Sequence, residues 1–278
     1  MPELPEVETI KRDLEKNLTG QVITQFIVED PRIFTGFSPS GGPRRKINIS
    51  HLIRGLINKK ISQFFRRGKY LAMEFVDGSA LILHLRMTGQ LLFKNGEGKA
   101  RAAFYFGSGK KLFFKDRRRF GEIQFSTDWK KEKSIASLGI EPLNGNLTAQ
   151  FLKESFKERS ASVHSLLLNQ TIVCGIGNIY AAEALFRAGI RPTRKGKSIR
   201  IEELNQLVPA IQQVLNASIQ NRGYSMSTYV DTLGKKGKTQ LFTQVYGKED
   251  QPCVHCKNLL KKIKISGRGV VYCARCQK

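Results

Sequence analysis

The chain is short of several features that would define other classes of protein. It has no apolar run of 18 or more residues and no signal-like N-terminal segment, which argues against a membrane-spanning helix and a secretion signal. Neither an internal repeat nor a low-complexity tract is present. Acidic residues are scarce, with 23 Asp and Glu against 47 Lys and Arg, so the net charge is +24. This excess is far more than solubility requires and predicts a polyanionic partner, nucleic acid. We expect a monomer without membrane partners in the cytoplasm, at the nucleoid.

Cysteines are few, and four of the five form two closely spaced pairs. Cys253-x2-Cys256 and Cys273-x2-Cys276 are separated by sixteen residues, a spacing typical of a four-thiolate zinc site. Disulfides are the alternative, which the missing secretion signal disfavours. No acidic residue lies between the pairs, whereas five cations do: Lys257, Lys261, Lys262, Lys264 and Arg268. The sequence therefore predicts one structural zinc ion in a basic ribbon, and Cys174 as a small buried side chain.

Hydrophobic periodicity predicts an α+β fold. Val7, Ile10, Leu14 and Leu18 recur at helical spacing, so one amphipathic helix is expected over 4–19. A β-sandwich or barrel should follow, with β-rich runs at 21–29, 61–66, 70–76, 80–85, 90–93, 102–106, 111–115 and 122–125. Helices are then expected at 148–157, 163–168, 179–188 and 201–221, the first with Thr148 as N-cap.

These elements predict a division of the chain into three domains. Residues 1–130 should form the N-terminal helix and β-sandwich, and 131–147 an interdomain linker. Residues 148–247 should form a helical domain, and 248–278 the zinc-ribbon hairpin.

The N-terminus itself carries a candidate nucleophile. Loss of Met1 would leave Pro2 with a nitrogen that is both chain terminus and secondary amine. An α-amino group titrates near pH ~8, so a useful fraction is uncharged at neutral pH. Its adduct with a sugar C1′ is an iminium, which accepts electrons without a further proton. The alternative is that Pro2 only begins the first helix.

Three motifs resemble those of the bacterial formamidopyrimidine-DNA glycosylase family, which repairs oxidised purines in DNA. They are PELPEVET at 2–9, GIGNIY at 175–180 and the Gly267-Arg268 pair before the last two cysteines. Their order and spacing agree with the family along the whole chain. The resemblance implies a β-sandwich domain preceded by the catalytic helix, a helix-two-turns-helix domain and a zinc finger, with damaged double-stranded DNA between the two main domains.

The resemblance also implies a bifunctional glycosylase and AP lyase that excises 8-oxoguanine and formamidopyrimidines and cleaves the strand by β,δ-elimination in base excision repair. Pro2 would attack C1′, and Glu3 would protonate the sugar ring oxygen. Glu6 would orient the proline or supply a second proton site, unless it only favours the helix dipole. Lys69 and Arg268 would bind phosphates beside the lesion and complete the catalytic set. From the residues alone, Lys69 could equally be a solvated strand residue.

The family flips the damaged nucleotide and fills the void with a trio that Met87, Arg118 and Phe120 match. The alternative for Met87 and Phe120 is ordinary core packing. The polar, glycine-rich segment 223–238 resembles the loop that covers the flipped base through backbone amides. In all, the predicted DNA contacts are His84, Met87, Arg118, Phe120, His164, Asn178, Ser227, Thr228 and Tyr229.

The chain departs from the family at three positions. His164 stands where the family has lysine, Asn169 where it has aspartate, and Cys174 where a small residue is usual. If His164 lies beside a phosphate, activity should depend on pH between about 6 and 7.5, because only imidazolium supplies the charge. The alternative is a neutral packing residue.

Two other functions remain open from the sequence. One is an oxidised-pyrimidine glycosylase on the same scaffold, which the long 223–238 loop and the Leu4-Pro5 pair disfavour. The other is a non-catalytic, basic zinc-ribbon protein that binds nucleic acid. That protein would form no covalent adduct with damaged DNA.

Overall fold

The computed structural model describes residues 1–34, 49–96, 98–226 and 228–278. The chain divides into two compact units: Met1–Ser137 with Asn221–Lys238, and Leu138–Gln220 with Thr239–Lys278. The segment Asn221–Lys238, which sequence analysis grouped with the helical domain, therefore belongs with the N-terminal unit. The zinc ribbon and the helices share the second unit.

The first unit begins with the predicted helix, α1 (Leu4–Leu18). Glu3 is the N-cap and forms a capping box with Glu6, in which each side chain accepts a backbone N–H from the other end of the turn. Pro5 lies in the first turn, where a missing N–H costs nothing. The apolar face of α1 is buried in the core of the unit, as the periodicity predicted.

All eight predicted strands are present in the first unit, in two antiparallel four-stranded sheets. They are β1 (Ile23–Val28), β2 (Ile61–Arg67), β3 (Tyr70–Phe75), β4 (Ala80–His84), β5 (Gly89–Leu92), β6 (Ala102–Phe106), β7 (Lys111–Asp116) and β8 (Glu122–Ser126). The sheet orders are β1-β6-β7-β5 and β2-β3-β4-β8. The two sheets and α1 share one apolar core, in which Phe26 and Phe104 stack with their ring centroids 4.3 Å apart. A short helix, α2 (Ile49–Leu56), was not predicted.

The segment predicted as a linker is packed along much of its length. Trp129, just before it, is buried against Phe65, and its indole Nε1 donates to Glu74 at 2.8 Å. Helix α3 (Lys133–Ala136) follows. Farther on, Ile140 pairs with Val173 in a parallel bridge of the second unit. Loss of hydrophobic periodicity here reflects short irregular structure with its own contacts.

The second unit contains the four predicted helices, α4 (Ala149–Phe156), α5 (Val163–Leu167), α6 (Asn178–Arg187) and α7 (Ile201–Gln220). The Thr148 hydroxyl accepts from the Phe151 N–H at 3.1 Å, which confirms the predicted N-cap. The apolar stripe of α7 is buried. The ribbon strands β9 (Lys261–Ile265) and β10 (Arg268–Tyr272) pair antiparallel, and their small core includes Phe186 of α6. The α+β class is confirmed.

Within the described residues, none of the helices is both long and apolar enough to cross a membrane.

Candidate active site

The N-terminal residues form a buried polar cluster at the start of α1. Pro2 is buried, and the exposed fractions of Glu3 and Glu6 are 4% and 1%. Glu6 Oε2 accepts from the Glu3 N–H at 2.8 Å, and Glu6 Oε1 accepts from the Tyr224 N–H at 2.8 Å. The Glu6 carboxylate thus connects the N-terminal end of α1 with the segment Asn221–Lys238. This arrangement favours the orienting role that sequence analysis considered for Glu6.

The same segment is held to α1 at further points. The Arg222 guanidinium contacts Asp13 at 2.6 Å and Asp231 at 2.7 Å, and it therefore joins the helix to the loop. Gly223 adopts φ +85°, and a Cβ there would lie 2.9 Å from the Glu6 side chain, so glycine is required on both counts. Tyr229 is buried in the core of the unit, with its hydroxyl 3.5 Å from the Glu6 carbonyl oxygen.

The predicted base-contacting residues of this segment can be placed in part. The Thr228 carbonyl accepts from the Gln90 side chain, and the Tyr229 carbonyl accepts from the Ser225 hydroxyl at 2.8 Å. These bonds fix the backbone at the two residues whose amides are predicted to contact the flipped base. Ser227 lies outside the described residues, and all three base contacts stay predictions.

The predicted void-filling trio lies on exposed loops of the first unit. Met87 and Phe120 are 40% and 52% exposed, and Arg118 is exposed as well. The core-packing alternative for Met87 and Phe120 is therefore wrong. The Arg118 guanidinium lies 5.0 Å from the centroid of the Phe120 ring, a cation–π distance. A cavity of about 660 Å³ is lined by these three side chains together with Met1, Arg32, Arg86, Arg119, Gly121 and Glu122.

Lys69 and His84 occupy less exposed positions than sequence analysis considered. Lys69 lies in the turn between β2 and β3, where it is buried, so the alternative of a solvated strand residue is wrong. His84 is buried at the end of β4, and its Nδ1 accepts from the Arg86 N–H at 3.0 Å. Burial, with the nearby Arg86 and Lys69 charges, holds the pKa of His84 well below its usual value. The neutral ring orders the turn that leads to Met87.

In the second unit, three of the predicted site residues are close together. The Asn178 amide occupies the first position of α6, where its Nδ2 donates to the Gly269 carbonyl at 3.0 Å. Its Oδ1 lies 3.0 Å from His164 Nε2. Asn178 therefore attaches the strand that carries the exposed Arg268 to the N-terminus of α6. The backbone N–H groups and the dipole of a helix N-terminus suit a phosphate.

His164 is 1% exposed, and burial is the main cause that lowers its pKa to about 4. The hydrogen bond to Asn178 opposes this shift, and the Arg268 charge adds to it. Nδ1 has no hydrogen-bond partner among the described residues. The imidazole is therefore neutral between pH 6 and 7.5 in this structure, as the packing alternative requires. A DNA contact by His164 remains a prediction.

The four paired cysteines converge as their spacing predicts. The sulfurs of Cys253, Cys256, Cys273 and Cys276 all lie within 4.8 Å of one another. The Cys253–Cys276 and Cys256–Cys273 sulfur distances are 3.8 and 3.4 Å. Both are too long for disulfides and near the ~3.8 Å edge of a tetrahedron with Zn–S bonds of about 2.3 Å. The donor set fits one structural zinc ion. Cys174 is buried, as predicted, and its thiol donates to Glu141 at 3.2 Å.

Several residues that support the site were missed by sequence analysis. Asp13, Arg222 and Asp231 anchor the loop to α1, and Gln90 holds the Thr228 carbonyl. Asp13 offers no local signal, because its partners lie more than 200 residues away. The acidic Asp116, which opens the basic run 116–121, could have been singled out by its contrast in charge.

Three family models match the chain. The formamidopyrimidine-DNA glycosylase N-terminal domain matches residues 1–123, and the H2TH domain of the same glycosylase matches residues 138–230. The zinc finger found in FPG and IleRS matches residues 250–278.

Full-length relatives and solved structures agree with these matches. The formamidopyrimidine-DNA glycosylase of Pelotomaculum thermopropionicum is 39% identical over 284 residues, which cover 100% of this chain and 99% of the relative. That of Desulforamulus reducens is 38% identical with the same coverage. A Lactococcus lactis FPG variant in complex with Fapy-dG-containing DNA superposes with a TM-score of 0.88 at 33% identity, covering 100% of both chains. MutM (FPG) from Thermus thermophilus gives a TM-score of 0.87 at 33% identity, with 99% of this chain and 98% of that chain covered. The chain therefore belongs to the formamidopyrimidine-DNA glycosylase family.

Proposed function

We propose that this member of the family is a bifunctional DNA glycosylase and AP lyase that removes oxidised purines from duplex DNA in base excision repair. The observation that carries the proposal is the buried cluster of Pro2, Glu3 and Glu6 at the start of α1. Removal of Met1 would turn the Pro2 nitrogen into a secondary amine next to the buried Glu3 in the chain, and an amine with a nearby carboxylic acid is the combination that iminium chemistry at a sugar requires.

The proposed reaction starts once Met1 has been removed. The Pro2 nitrogen lone pair forms a bond to C1′ of the damaged nucleotide while the bond from C1′ to the base breaks, and the base leaves with that electron pair and takes a proton from water. The bond from C1′ to the sugar ring oxygen then breaks, Glu3 protonates that oxygen, and the Pro2 nitrogen loses its proton. The resulting iminium takes up the electrons of β- and δ-elimination, in which the bonds to the 3′ and 5′ phosphate oxygens break in turn. Glu6 holds the Glu3 backbone during these steps, since its carboxylate accepts the Glu3 N–H.

DNA is proposed to be positioned through its backbone and through the empty place of the flipped base. Lys69, Asn178 and Arg268 would contact phosphates, which fixes the position of the duplex without reading its sequence. Met87 and Phe120 would stack into the void, and Arg118 would hydrogen-bond the abandoned cytosine. The structural zinc keeps the strand that carries Arg268 folded.

The purine preference rests on the segment Asn221–Lys238 and its anchoring to α1. The Lactococcus lactis enzyme has been solved with Fapy-dG-containing DNA, with an abasic site and with an oxidised pyrimidine. We expect this protein to excise 8-oxoguanine opposite cytosine faster than an oxidised pyrimidine. Acting alone on chromosomal DNA, it would work as a monomer at the nucleoid.

Borohydride trapping on a duplex that carries 8-oxoguanine opposite cytosine tests the proposal. A covalent adduct should form, and mass spectrometry of the adduct should place DNA on the Pro2 nitrogen. The Pro2→Gly variant, which keeps a weaker primary amine, should trap more slowly. Fully active protein that retains Met1 by intact-mass analysis would overturn the mechanism. An adduct only with oxidised-pyrimidine DNA would support the proposed chemistry and show that the substrate is an oxidised pyrimidine and not an oxidised purine.

A further inference from the structure

Two short loops carry the three proposed void-filling side chains, and both loops are strained. Arg86 in the first loop and Arg119 in the second adopt left-handed backbone angles, with φ of +51° and +60°. Such angles are unfavourable for residues with a side chain and persist only where surrounding contacts hold them. The loops are therefore shaped by their neighbours and not by local preference.

Each loop also closes on a glycine that no other residue could replace without movement. A Cβ on Gly89 would lie 2.4 Å from the Leu85 carbonyl oxygen, and a Cβ on Gly121 would lie 2.7 Å from the Phe114 ring. The second site additionally brings the Gly121 backbone against the Asp116 carboxylate. At both positions the absence of a side chain allows the end of the loop to pack directly against its sheet.

One buried carboxylate connects the two loops. Asp116 Oδ1 accepts from the Thr88 hydroxyl of the first loop and from the Arg118 N–H of the second, the latter at 3.1 Å. Its Oδ2 accepts from the Gly121 N–H at 2.6 Å. The Thr88 hydroxyl oxygen also accepts from the Arg118 N–H at 3.1 Å, so Thr88 contacts both Asp116 and Arg118.

Arg101 completes this arrangement from inside the unit. It is buried, and its Nη1 donates to the Gly121 carbonyl at 3.0 Å while lying 3.6 Å from Asp116 Oδ2. Its Nε lies 3.4 Å from Asp30. Burial of a carboxylate such as that of Asp116 is costly unless a cation and several hydrogen-bond donors surround it. Gly121 is thereby held at both its N–H and its carbonyl.

We propose that Thr88, Asp116 and Arg101 form a latch that fixes the Met87 loop and the Arg118–Phe120 loop at one separation, so that the three side chains enter DNA as a rigid set. The inference rests on the proposed function, since it assigns positioning residues to the void-filling step. Hydrogen bonding of Arg118 to the abandoned base requires placement within about 0.5 Å. The latch therefore determines discrimination of the base opposite the lesion.

The test compares Thr88→Val with Thr88→Ser. Valine keeps the shape of threonine and removes the hydroxyl, whereas serine keeps the hydroxyl. Thr88 is only half-buried, so both variants should fold. Single-turnover excision is measured on duplexes with 8-oxoguanine opposite cytosine and opposite adenine. Thr88→Val should slow excision opposite cytosine about tenfold and opposite adenine less, which lowers the cytosine-to-adenine rate ratio. Thr88→Ser should stay within about twofold of the parent protein.

A second substrate separates the latch from the chemistry. Borohydride trapping on a single-stranded abasic oligonucleotide involves no void, so Thr88→Val should trap as fast as the parent protein. An unchanged cytosine-to-adenine ratio in Thr88→Val would overturn the latch, as would equal losses on both substrates. A parent protein that forms no adduct with either DNA would instead refute the proposed function, and the latch with it. Asp116→Asn, which replaces one acceptor oxygen with a donor, should lower the ratio further than Thr88→Val.

Discussion

The proposed catalytic end of the first unit and the zinc ribbon of the second are stabilised in opposite ways. Helix α1 packs into the apolar core of two sheets, and its N-terminal end is held by the buried Glu6 carboxylate, which accepts backbone N–H groups. The ribbon has only a small apolar cluster, and four sulfurs converge at its base. Loss of one hydrogen bond should therefore shift the first site, whereas loss of one ligand should unfold the second.

Both units use a buried glutamate to hold a loop. Glu183 of α6 accepts from the backbone N–H groups of Gln244, Val245 and Tyr246, at 2.7 to 2.9 Å, and so holds the segment that leads to the ribbon. Glu6 does the same for Tyr224 in the first unit. Buried carboxylates thus order loops in both units, and the metal is needed only where the chain is too short to build a core.

The largest effect is expected from Glu3→Gln, which removes the proposed general acid and leaves the Glu6 carboxylate and the zinc ligands in place. Base excision should fall by about 10²–10⁴-fold, the usual contribution of a general acid, because the amide cannot supply the proton. Affinity for lesion-containing duplex should change by less than about twofold, since no charge facing a phosphate is removed. Single-turnover excision and fluorescence anisotropy measure the two quantities. Wild-type excision by this variant would exclude Glu3 as the acid.

Cys273→Ser should break the ribbon alone. The remaining three thiolates should no longer hold zinc, and Arg268 should lose its place on β10, so DNA affinity should fall more than tenfold. Arg268→Ala is the matched control: it should weaken DNA binding about tenfold, the value of one charge-assisted contact, and keep one zinc per chain. Metal analysis and anisotropy check both variants. Active parent protein without zinc would contradict the prediction.

Glu6→Gln should loosen the catalytic end without removing its reactive groups. The amide keeps one acceptor oxygen and turns a donor toward the Glu3 or the Tyr224 N–H, so unfolding free energy should fall by about 2 kcal/mol. Glu15→Gln, at a half-exposed position of the same helix, is the control and should cost about 0.5 kcal/mol or less. Urea denaturation measures both. Equal stabilities would show that the Glu6 bonds contribute nothing net.

An effect confined to mildly acidic pH concerns His164. Its pKa in the folded protein is about 4, below the ordinary value near 6.5, so the unfolded chain binds the proton first as the pH falls. The contribution of the neutral His164 to the free energy of unfolding is present above about pH 6.5 and decreases as the pH falls from about 6.5 to 4. At pH 5 the decrease is about 2 kcal/mol. The stability difference between the parent and His164→Gln should shift by that amount between pH 7.5 and 5. If His164→Lys instead removes a pH limb of excision between 6 and 7.5, the histidine faces a phosphate.

Local pattern was sufficient for most elements of the fold. Alternating hydrophobicity located all eight strands of the sandwich, and the stripe on α7 located a buried helix, because neighbours in sequence determine both periods. Helix α2 was missed although Ile49, Leu52, Ile53 and Leu56 recur at helical spacing, because the segment is only eight residues long. The boundary of the first unit could not be predicted, since Asn221–Lys238 joins it through partners such as Asp13 and Gln90 that are distant in sequence.

The sequence by itself determined the groups whose chemistry depends on spacing: the four zinc ligands, the proline at position 2 and the exposed arginine run. Only the tertiary structure decided which polar groups are buried together. Glu6 meets Tyr224 across 218 positions, and Asp116 meets Thr88 across 28. His164 is neutral because of burial, which no local pattern records. The reason is that the protonation state and orientation of a side chain depend on neighbours in space, whereas thiol spacing and strand alternation depend on neighbours along the chain.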